Sequence, residues 1–318
     1  MPTTPLNSLK GVILDAASLG EGVDFDPLEQ QLADFVRWDS TGPGQTLTRI
    51  QGAHVVFTNK VVIDAAMMRA ADNLKLICVL ATGTNNVDIA AAEALGIEVR
   101  NVNAYGTASV AQHTLTLMLA LATRLVPYQR SVQQGEWQRA SMFCLMHHPV
   151  MQLSGKTLVL VGHGELGQEV ERLALAFGMH VKVAARPGKT DDTRPSLDTL
   201  LPEADVVSLH CPLTPDTQHL INQDNLALCK PTALLVNCAR GGIIHEQDAL
   251  NALRQGLIGG LAVDVLTQEP PRDGNVLLDA LHEGLNLIVT PHSAWLAPEA
   301  RQRIIELSAK NVADWKNP

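Results

Sequence analysis

Three ionisable residues of complementary chemistry stand just past three apolar runs in the second half of the chain. Arg240 lies in Asn237-Cys238-Ala239-Arg240-Gly241-Gly242, after the run Ala233–Asn237. Glu269 lies in Asp264-Val265-Leu266-Thr267-Gln268-Glu269-Pro270, after Gly260–Asp264, and His292 lies in Thr290-Pro291-His292-Ser293-Ala294-Trp295, after Leu287–Thr290. Short aliphatic runs read as strands buried on both faces, and open α/β sheets bind ligands beyond the C-terminal ends of their strands. Hydride transfer to a 2-oxo acid asks for such a set: a cation to hold the carboxylate and polarise the ketone, and a proton donor for the forming alkoxide. Arginine suits the first task because its charge is permanent and its fork matches a carboxylate. Histidine suits the second, since an unperturbed imidazole titrates at about 6.5 and a neighbouring carboxylate favours its protonated form. Taken singly, each residue has a plainer explanation: a structural ion pair, a turn before Pro270, a helix cap. The three together favour chemistry.

A nucleotide cradle accompanies them. Directly after Thr157–Val161 comes Gly162-His163-Gly164-Glu165-Leu166-Gly167, followed by a helical pattern over Gln168–Phe177. Glycines at this spacing allow a tight turn, a close approach of backbone to a pyrophosphate, and packing of helix on strand. The helix N-terminus then offers unpaired N–H groups to the phosphates. The end of the next strand selects the dinucleotide, because NAD-binding units place Asp or Glu there, about 20 residues past the glycines. This chain instead reads Ala184-Ala185-Arg186-Pro187-Gly188-Lys189, with Asp191 and Asp192 several residues into the loop. Arg186 and Lys189 suit a 2′-phosphate and hence NADP(H). The other reading of those charges is a solvated loop, with NAD(H) bound less selectively.

The elements that must position these groups form two series. In the first hundred residues, strands are expected at Gly11–Asp15, His54–Thr58, Leu76–Leu80 and Ile97–Arg100. Helices are expected at Pro27–Ala33, Val62–Ala71 and Val87–Leu95. The second series has strands at Thr157–Val161, Val181–Ala185, Asp205–Leu209, Ala233–Asn237, Gly260–Asp264 and Leu287–Thr290, with helical patterns between. Both describe parallel sheets covered by helices. Between them Thr107–Leu125 reads as a helix apolar nearly all round, which implies burial, and Tyr128–Met151 has no simple period. Pro298–Trp315 reads as one amphipathic helix. The fold class is α/β, with two Rossmann-like doubly wound parallel-sheet domains and an active-site cleft between them.

Composition narrows the function classes. With 24 basic and 33 acidic residues among 318, the net charge of −9 disfavours nucleic acid as a partner. The apolar stretch after Thr114 is too short to cross about 30 Å of hydrocarbon. The N-terminal Met1–Lys10 lacks the charge and apolar pattern of a secretory signal. Cys78, Cys144, Cys211, Cys229 and Cys238 are widely spaced with no Cys-x-x-Cys, so reduced thiols in a cytoplasm are expected, without a disulfide framework or structural zinc. No third ligand accompanies His147-His148, and no metal is expected.

From Val55 to Ala300 the chain resembles the D-isomer-specific 2-hydroxyacid dehydrogenase family, and most closely its glycerate dehydrogenase and hydroxypyruvate (glyoxylate) reductase branch. The most specific pieces are Asn237–Gly242, Asp264-Val265 with Glu269-Pro270, and Thr290-Pro291-His292. Thr58-Asn59-Lys60, Ala104-Tyr105-Gly106-Thr107 with Ser109–His113, and His210-Cys211-Pro212-Leu213-Thr214 point to the branch. The resemblance implies a discontinuous substrate domain (1–101 and 292–318) around a dinucleotide-binding domain (102–291), with 107–151 embracing a second subunit in a homodimer. It implies Arg240 as the substrate-binding arginine, Glu269 as the orienting glutamate and His292 as the acid/base. Thr82 and Gly83 would bind the substrate carboxylate through backbone N–H groups. Cofactor contacts fall to Thr107, Gly162, Gly164, Glu165, Leu166, Gly167, Arg186, Cys211, Pro212, Cys238, Ala239, Asp264 and His292. The branch implies reduction of hydroxypyruvate or glyoxylate; Ala185-Arg186 replaces the strand-end Asp common in the family, and this departure favours NADPH over NADH. Other readings are a D-lactate-type or bulkier 2-hydroxyacid dehydrogenase using NADH, and a nucleotide-sensing corepressor-like protein.

Overall fold

The computed structural model describes residues 8–317; the reading of the N-terminal stretch falls mainly on residues 1–7, outside the described residues. The chain divides into two compact units, one made of the residues up to Gly106 with those from Leu296 onward, the other of Thr107–Trp295. Among the described residues no helix is long and apolar enough to cross a membrane.

The first unit is built on a five-stranded sheet: β1 (Lys10–Ile13), β2 (Asp34–Arg37), β3 (Val55–Thr58), β4 (Leu76–Val79) and β5 (Glu98–Asn101), all parallel, in the order β2-β1-β3-β4-β5. β3 and β4 are buried along their whole length, as their unbroken apolar runs require. Asp64 and Asp88 cap the helices Ala65–Ala70 and Ile89–Ala94 by accepting the N–H of Met67 and Ala91. β2 was not legible in the sequence: Asp-Phe-Val-Arg is a four-residue, largely exposed edge strand with no apolar run. Its existence also shortens the helix expected over Pro27–Ala33 to Asp26–Glu29, because the Ala33 N–H is committed to the Leu9 carbonyl at the sheet edge. The C-terminal helix Pro298–Lys316 returns to pack on β4 and β5 of this unit.

The second unit carries β6 (Thr157–Val161), β7 (His180–Val183), β8 (Val206–Leu209), β9 (Leu234–Asn237), β10 (Gly260–Val263) and β11 (Leu287–Val289), again all parallel, in the order β11-β10-β9-β8-β6-β7. Alternate residues of each strand face opposite layers. Leu158 and Leu160 join Leu115, Met118 and Leu121 of the helix Thr107–Ala122, while Val159 and Val161 join Leu197, Leu250 and Leu277 on the other side. Helix Thr107–Ala122 is sandwiched between Glu165–Ala176 and the sheet, which accounts for its all-round apolarity. It stops at Ala122 rather than Leu125; Arg124 takes a left-handed conformation and a new helix, Leu125–Gln133, begins.

The joints of the two units fall at 106/107 and 295/296, so His292 lies in the unit with the glycine cradle, where the loop after β11 is bonded back to the end of β10: the His292 N–H donates to the Asp264 carbonyl at 2.8 Å.

Asn286, 4% exposed, ties helix to sheet just before β11. Its amide donates to the Leu121 carbonyl at the helix end (3.2 Å) and to the Gly259 carbonyl ahead of β10 (3.0 Å). Asn286→Ala strands the Gly259 carbonyl and takes one of two donors from the Leu121 carbonyl, and chemical denaturation is expected to show a loss of about 2 kcal/mol in unfolding free energy.

Candidate active site

The glycine cradle is dictated by close backbone packing. Gly162 has φ +97°, and a Cβ there would lie 2.6 Å from the Cys211 nitrogen. A Cβ on Gly167 would lie 2.4 Å from the Gly162 carbonyl oxygen, whereas Gly164, at the N-cap of helix Glu165–Ala176, faces open space. Two glycines thus close the turn and the third leaves the helix N-terminus uncovered, which fits the pyrophosphate of a dinucleotide. Thr107 donates its hydroxyl to Glu165 at 2.8 Å, so two of the expected cofactor residues meet. Cys211 and Pro212 follow β8 at the cradle's side. Burial pushes the Cys211 thiol up to about 11 and the neighbouring His210 imidazole down to about 4, so both are uncharged near neutrality.

β9, β10 and β11 are neighbours in the sheet, so the segments carrying Arg240, Glu269 and His292 leave it side by side. Asn237 shapes the first of these loops: its side chain accepts from the Ala239 N–H (3.0 Å) and donates to the Arg240 carbonyl (2.8 Å). Cys238 and Ala239 are buried there, and burial pushes the Cys238 thiol up to about 12. Arg240 is exposed and donates one N–H to the Ala239 carbonyl at 2.7 Å. Its guanidinium makes no ion pair among the described residues.

Glu269 and His292 meet directly. Glu269 Oε2 lies 2.6 Å from His292 Nδ1, and Glu269 Oε1 accepts the Leu266 N–H at 2.8 Å. An ionised carboxylate can only accept, so Nδ1 is the donor in this bond and Nε2 is the ring nitrogen turned away from it. His292 has φ +52°, a left-handed conformation that a histidine seldom adopts. Asp264, 1% exposed, holds that turn by accepting the N–H groups of Ser293 (2.9 Å) and Ala294 (3.0 Å). It also accepts the Thr290 hydroxyl, and His113 Nε2 lies 3.0 Å from that hydroxyl and 3.4 Å from Asp264 itself. Burial alone would raise the Asp264 carboxyl; the His113, Thr290 and backbone donors outweigh it and hold the group below the usual carboxylate range.

The adenosine end differs from the sequence expectation in one respect. β7 stops at Val183, and the loop after it folds Asp192 back onto Arg186, whose backbone N–H (2.9 Å) and Nε (3.3 Å) donate to it. A carboxylate therefore does stand beside the strand end, supplied from the loop. Arg194 binds the same carboxylate through Nε (2.9 Å) and Nη2 (2.5 Å). The Arg194 guanidinium and then the Arg186 N–H hold the Asp192 carboxyl far below its ordinary value.

In the first unit, Thr82 and Gly83 follow β4. The Thr82 hydroxyl donates to the Val102 carbonyl (3.1 Å), and the Asn101 amide donates to the Thr82 carbonyl (2.6 Å), which fixes the loop. The neighbouring Thr58-Asn59-Lys60 segment is gathered by Asp15, 6% exposed, which accepts the N–H groups of Asn59, Lys60 and Val61.

The family model for the D-isomer specific 2-hydroxyacid dehydrogenase NAD binding domain matches residues 115–294. The chain is 42% identical over 280 residues to the glycerate dehydrogenase of Methylorubrum extorquens, covering 88% of each chain. It is 33% identical over 316 residues to the hydroxypyruvate reductase of Blautia hydrogenotrophica, covering 96% of this chain and 97% of that one. Among solved structures, the TT0316 protein of Thermus thermophilus superposes with a TM-score of 0.82 at 33% identity, covering 96% of both chains. The chain belongs to the D-isomer-specific 2-hydroxyacid dehydrogenase family. It is an oxidoreductase acting on CH–OH donors with a nicotinamide cofactor.

Two side chains that this dehydrogenase brings to the site carried no assignment from the sequence. His113 was visible as an imidazole on an apolar helix, but its partner lies on a distant strand. Arg194 lies eight residues past Arg186, and only the folded turn sets Asp192 between the two. The His147 and His148 rings lie 4.2 Å apart, tilted by 51°, and share the Ser131 hydroxyl. If His292 moves the proton, His292→Ala lowers kcat for 2-oxo acid reduction by about 10²- to 10⁴-fold, with dinucleotide binding retained in a fluorescence titration. Unchanged kcat would remove His292 from the chemistry.

Proposed function

We propose that this dehydrogenase reduces a small 2-oxo acid, hydroxypyruvate or glyoxylate, to the D-2-hydroxy acid, preferring NADPH. The observation that carries the reading is the 2.6 Å contact of Glu269 with His292 Nδ1 at strand ends adjoining that of Arg240. The names of the glycerate dehydrogenase and hydroxypyruvate reductase relatives support the substrate class.

When bound, the dinucleotide supplies the hydride that adds to the carbonyl carbon. Arg240 binds the substrate carboxylate through its fork and draws charge toward the carbonyl oxygen. His292, bonded through Nδ1 to Glu269, gives a proton from Nε2 to that oxygen as negative charge develops. In the reverse direction the same nitrogen takes the proton from the hydroxyl. Backbone N–H groups at Thr82 and Gly83 would add donors to the carboxylate. Gly162, Gly164, Glu165, Leu166 and Gly167 would hold the pyrophosphate, with Thr107, Cys211, Pro212, Cys238, Ala239 and Asp264 around the rest of the dinucleotide.

Support for NADPH comes from Arg186 and Arg194, two guanidinium groups sharing one carboxylate, with Lys189 in the same loop. A 2′-phosphate carries about two negative charges and pairs with arginine in bidentate fashion. Support for a homodimer comes from the apolar side chains displayed along 125–150: Phe143 is 87% and Met146 75% exposed, with Trp137 and Val150 beside them in sequence. Large apolar side chains left exposed in one segment favour a contact site there. The five free cysteines accord with a reducing cytoplasm.

Initial rates with hydroxypyruvate and glyoxylate, each with NADPH and NADH, test the reading. Arg186→Ala is expected to cut the NADPH/NADH ratio of kcat/KM by about tenfold, or about 1.4 kcal/mol. An unaltered ratio would end the 2′-phosphate argument and leave the reaction class standing. Light scattering is expected to give the mass of two chains; one chain at micromolar concentration would count against the dimer.

A further inference from the structure

One carboxylate outside the reacting groups holds both feet of the loop that carries Glu269. Glu246 is the first residue of helix Glu246–Arg254. Its Oε1 accepts the Thr267 N–H (2.7 Å) and the Thr267 hydroxyl (3.0 Å), and its Oε2 accepts the Asn275 amide (2.7 Å). Thr267 lies in the first part of the loop that follows β10. Asn275 is where it re-enters regular structure, as the N-cap of helix Val276–Asp279. Residues 268–274 between them are mostly exposed. Several bonds in this excursion are internal to it, such as Gln268 to Asp273 and the Arg272 N–H to the Pro270 carbonyl. Such bonds shape the loop without fixing its place on the body of the unit.

A second contact acts on the same foot. A Cβ on Gly241 would lie 2.0 Å from the Leu266 carbonyl oxygen and 2.5 Å from the Thr267 nitrogen. The backbone next to Arg240 therefore packs directly on the Leu266–Thr267 peptide. Five residues later the same segment supplies Glu246. The chain that bears the substrate-binding arginine is thus also the backing against which Glu269 is set.

We propose that Glu246 is a positioning residue for the acid–base pair. By pinning Thr267 and Asn275 it fixes where the Glu269 carboxylate meets His292 Nδ1, and so acts on turnover rather than on dinucleotide affinity. This rests on the reading of Glu269 and His292 as the proton-transferring pair. Charge-assisted acceptance from three donors gives the clamp its stiffness, and a displacement of about 1 Å at a reacting group is enough to cost turnover.

The test compares Glu246→Ala, Glu246→Gln and Asn275→Ser in the full-length protein. Each is measured for kcat with hydroxypyruvate and for NADPH and NADH dissociation constants by fluorescence titration. Asn275→Ser keeps a capping oxygen for Val276–Asp279 but is too short to reach Glu246. For Glu246→Ala, kcat is expected to fall by about 10- to 100-fold while dinucleotide dissociation constants stay within about twofold. Glu246→Gln keeps an acceptor for Thr267 and should recover kcat to within about fivefold of the parent, with Asn275→Ser in the same range. Parental kcat in Glu246→Ala overturns the proposal. So does a fall in kcat matched by weaker dinucleotide binding and a lower melting temperature in all three variants, since that describes general support of the fold. If His292→Ala itself keeps full turnover, the acid–base reading fails first; if it abolishes turnover and Glu246→Ala does not, the clamp alone is wrong.

Discussion

The Asp264 carboxylate, buried at the end of β10, is the interaction on which the site's geometry depends. Taking a carboxylate out of water costs several kcal/mol unless it is fully bonded. Here the compensation is specific in direction: the N–H groups of Ser293 and Ala294, the Thr290 hydroxyl and His113 all point at it. Those bonds bend the chain after β11 into a left-handed turn at His292. Such a conformation costs on the order of 1 kcal/mol for a residue with a side chain. Two hydrogen bonds to a charged acceptor, at about 1.5–3 kcal/mol each, outweigh it. The strain persists because the buried charge needs those donors.

The consequence is a division of labour between rigid and exposed groups. Asn237 and Asp264 lie buried at strand ends; Asn237 orders the loop that follows it, and Asp264 orders the turn after β11. Arg240, Glu269 and His292 stand on the loops after β9, β10 and β11, exposed or half-buried. Parallel pairing of β9, β10 and β11 brings the loops out on one edge, so a small number of backbone bonds sets three side chains at once. Glycine completes the arrangement where two backbones touch. Gly241 lets the arginine loop rest on the glutamate loop, as Gly162 lets the phosphate turn rest on the chain after β8.

What could be read from the sequence follows from how local each signal is. Strands buried on both faces announce themselves as unbroken apolar runs, so the ends of β9, β10 and β11 and the residues after them were visible. The edge strand β2 has no such run, because one side of Asp-Phe-Val-Arg meets solvent. Glu269 and His292 could be named as residue types at strand ends, and only the family resemblance paired them; their contact comes from sheet order, which no short-range pattern encodes. The same holds for Asp264 and His113. Glu246 carries no signal of its own in the sequence, because its bonds to Thr267 and Asn275 depend on how separate segments pack.

The loop after β7 shows how a tertiary bond alters a local rule. From sequence, the absence of a carboxylate at the strand end and the presence of Arg186 separated the two cofactor choices. Folded, Asp192 stands at Arg186 and is shared with Arg194. An arginine side chain carries about 2 kcal/mol of rotamer entropy, and a carboxylate that prealigns two of them lowers the cost of presenting both to a phosphate. The same carboxylate also offsets part of their charge and could accept a ribose hydroxyl. On the NADPH reading, discrimination therefore depends on the balance of two cations against one anion at this turn, and not on Arg186 alone. That balance makes a graded preference the physical expectation, with Arg194 contributing as much alignment as Arg186.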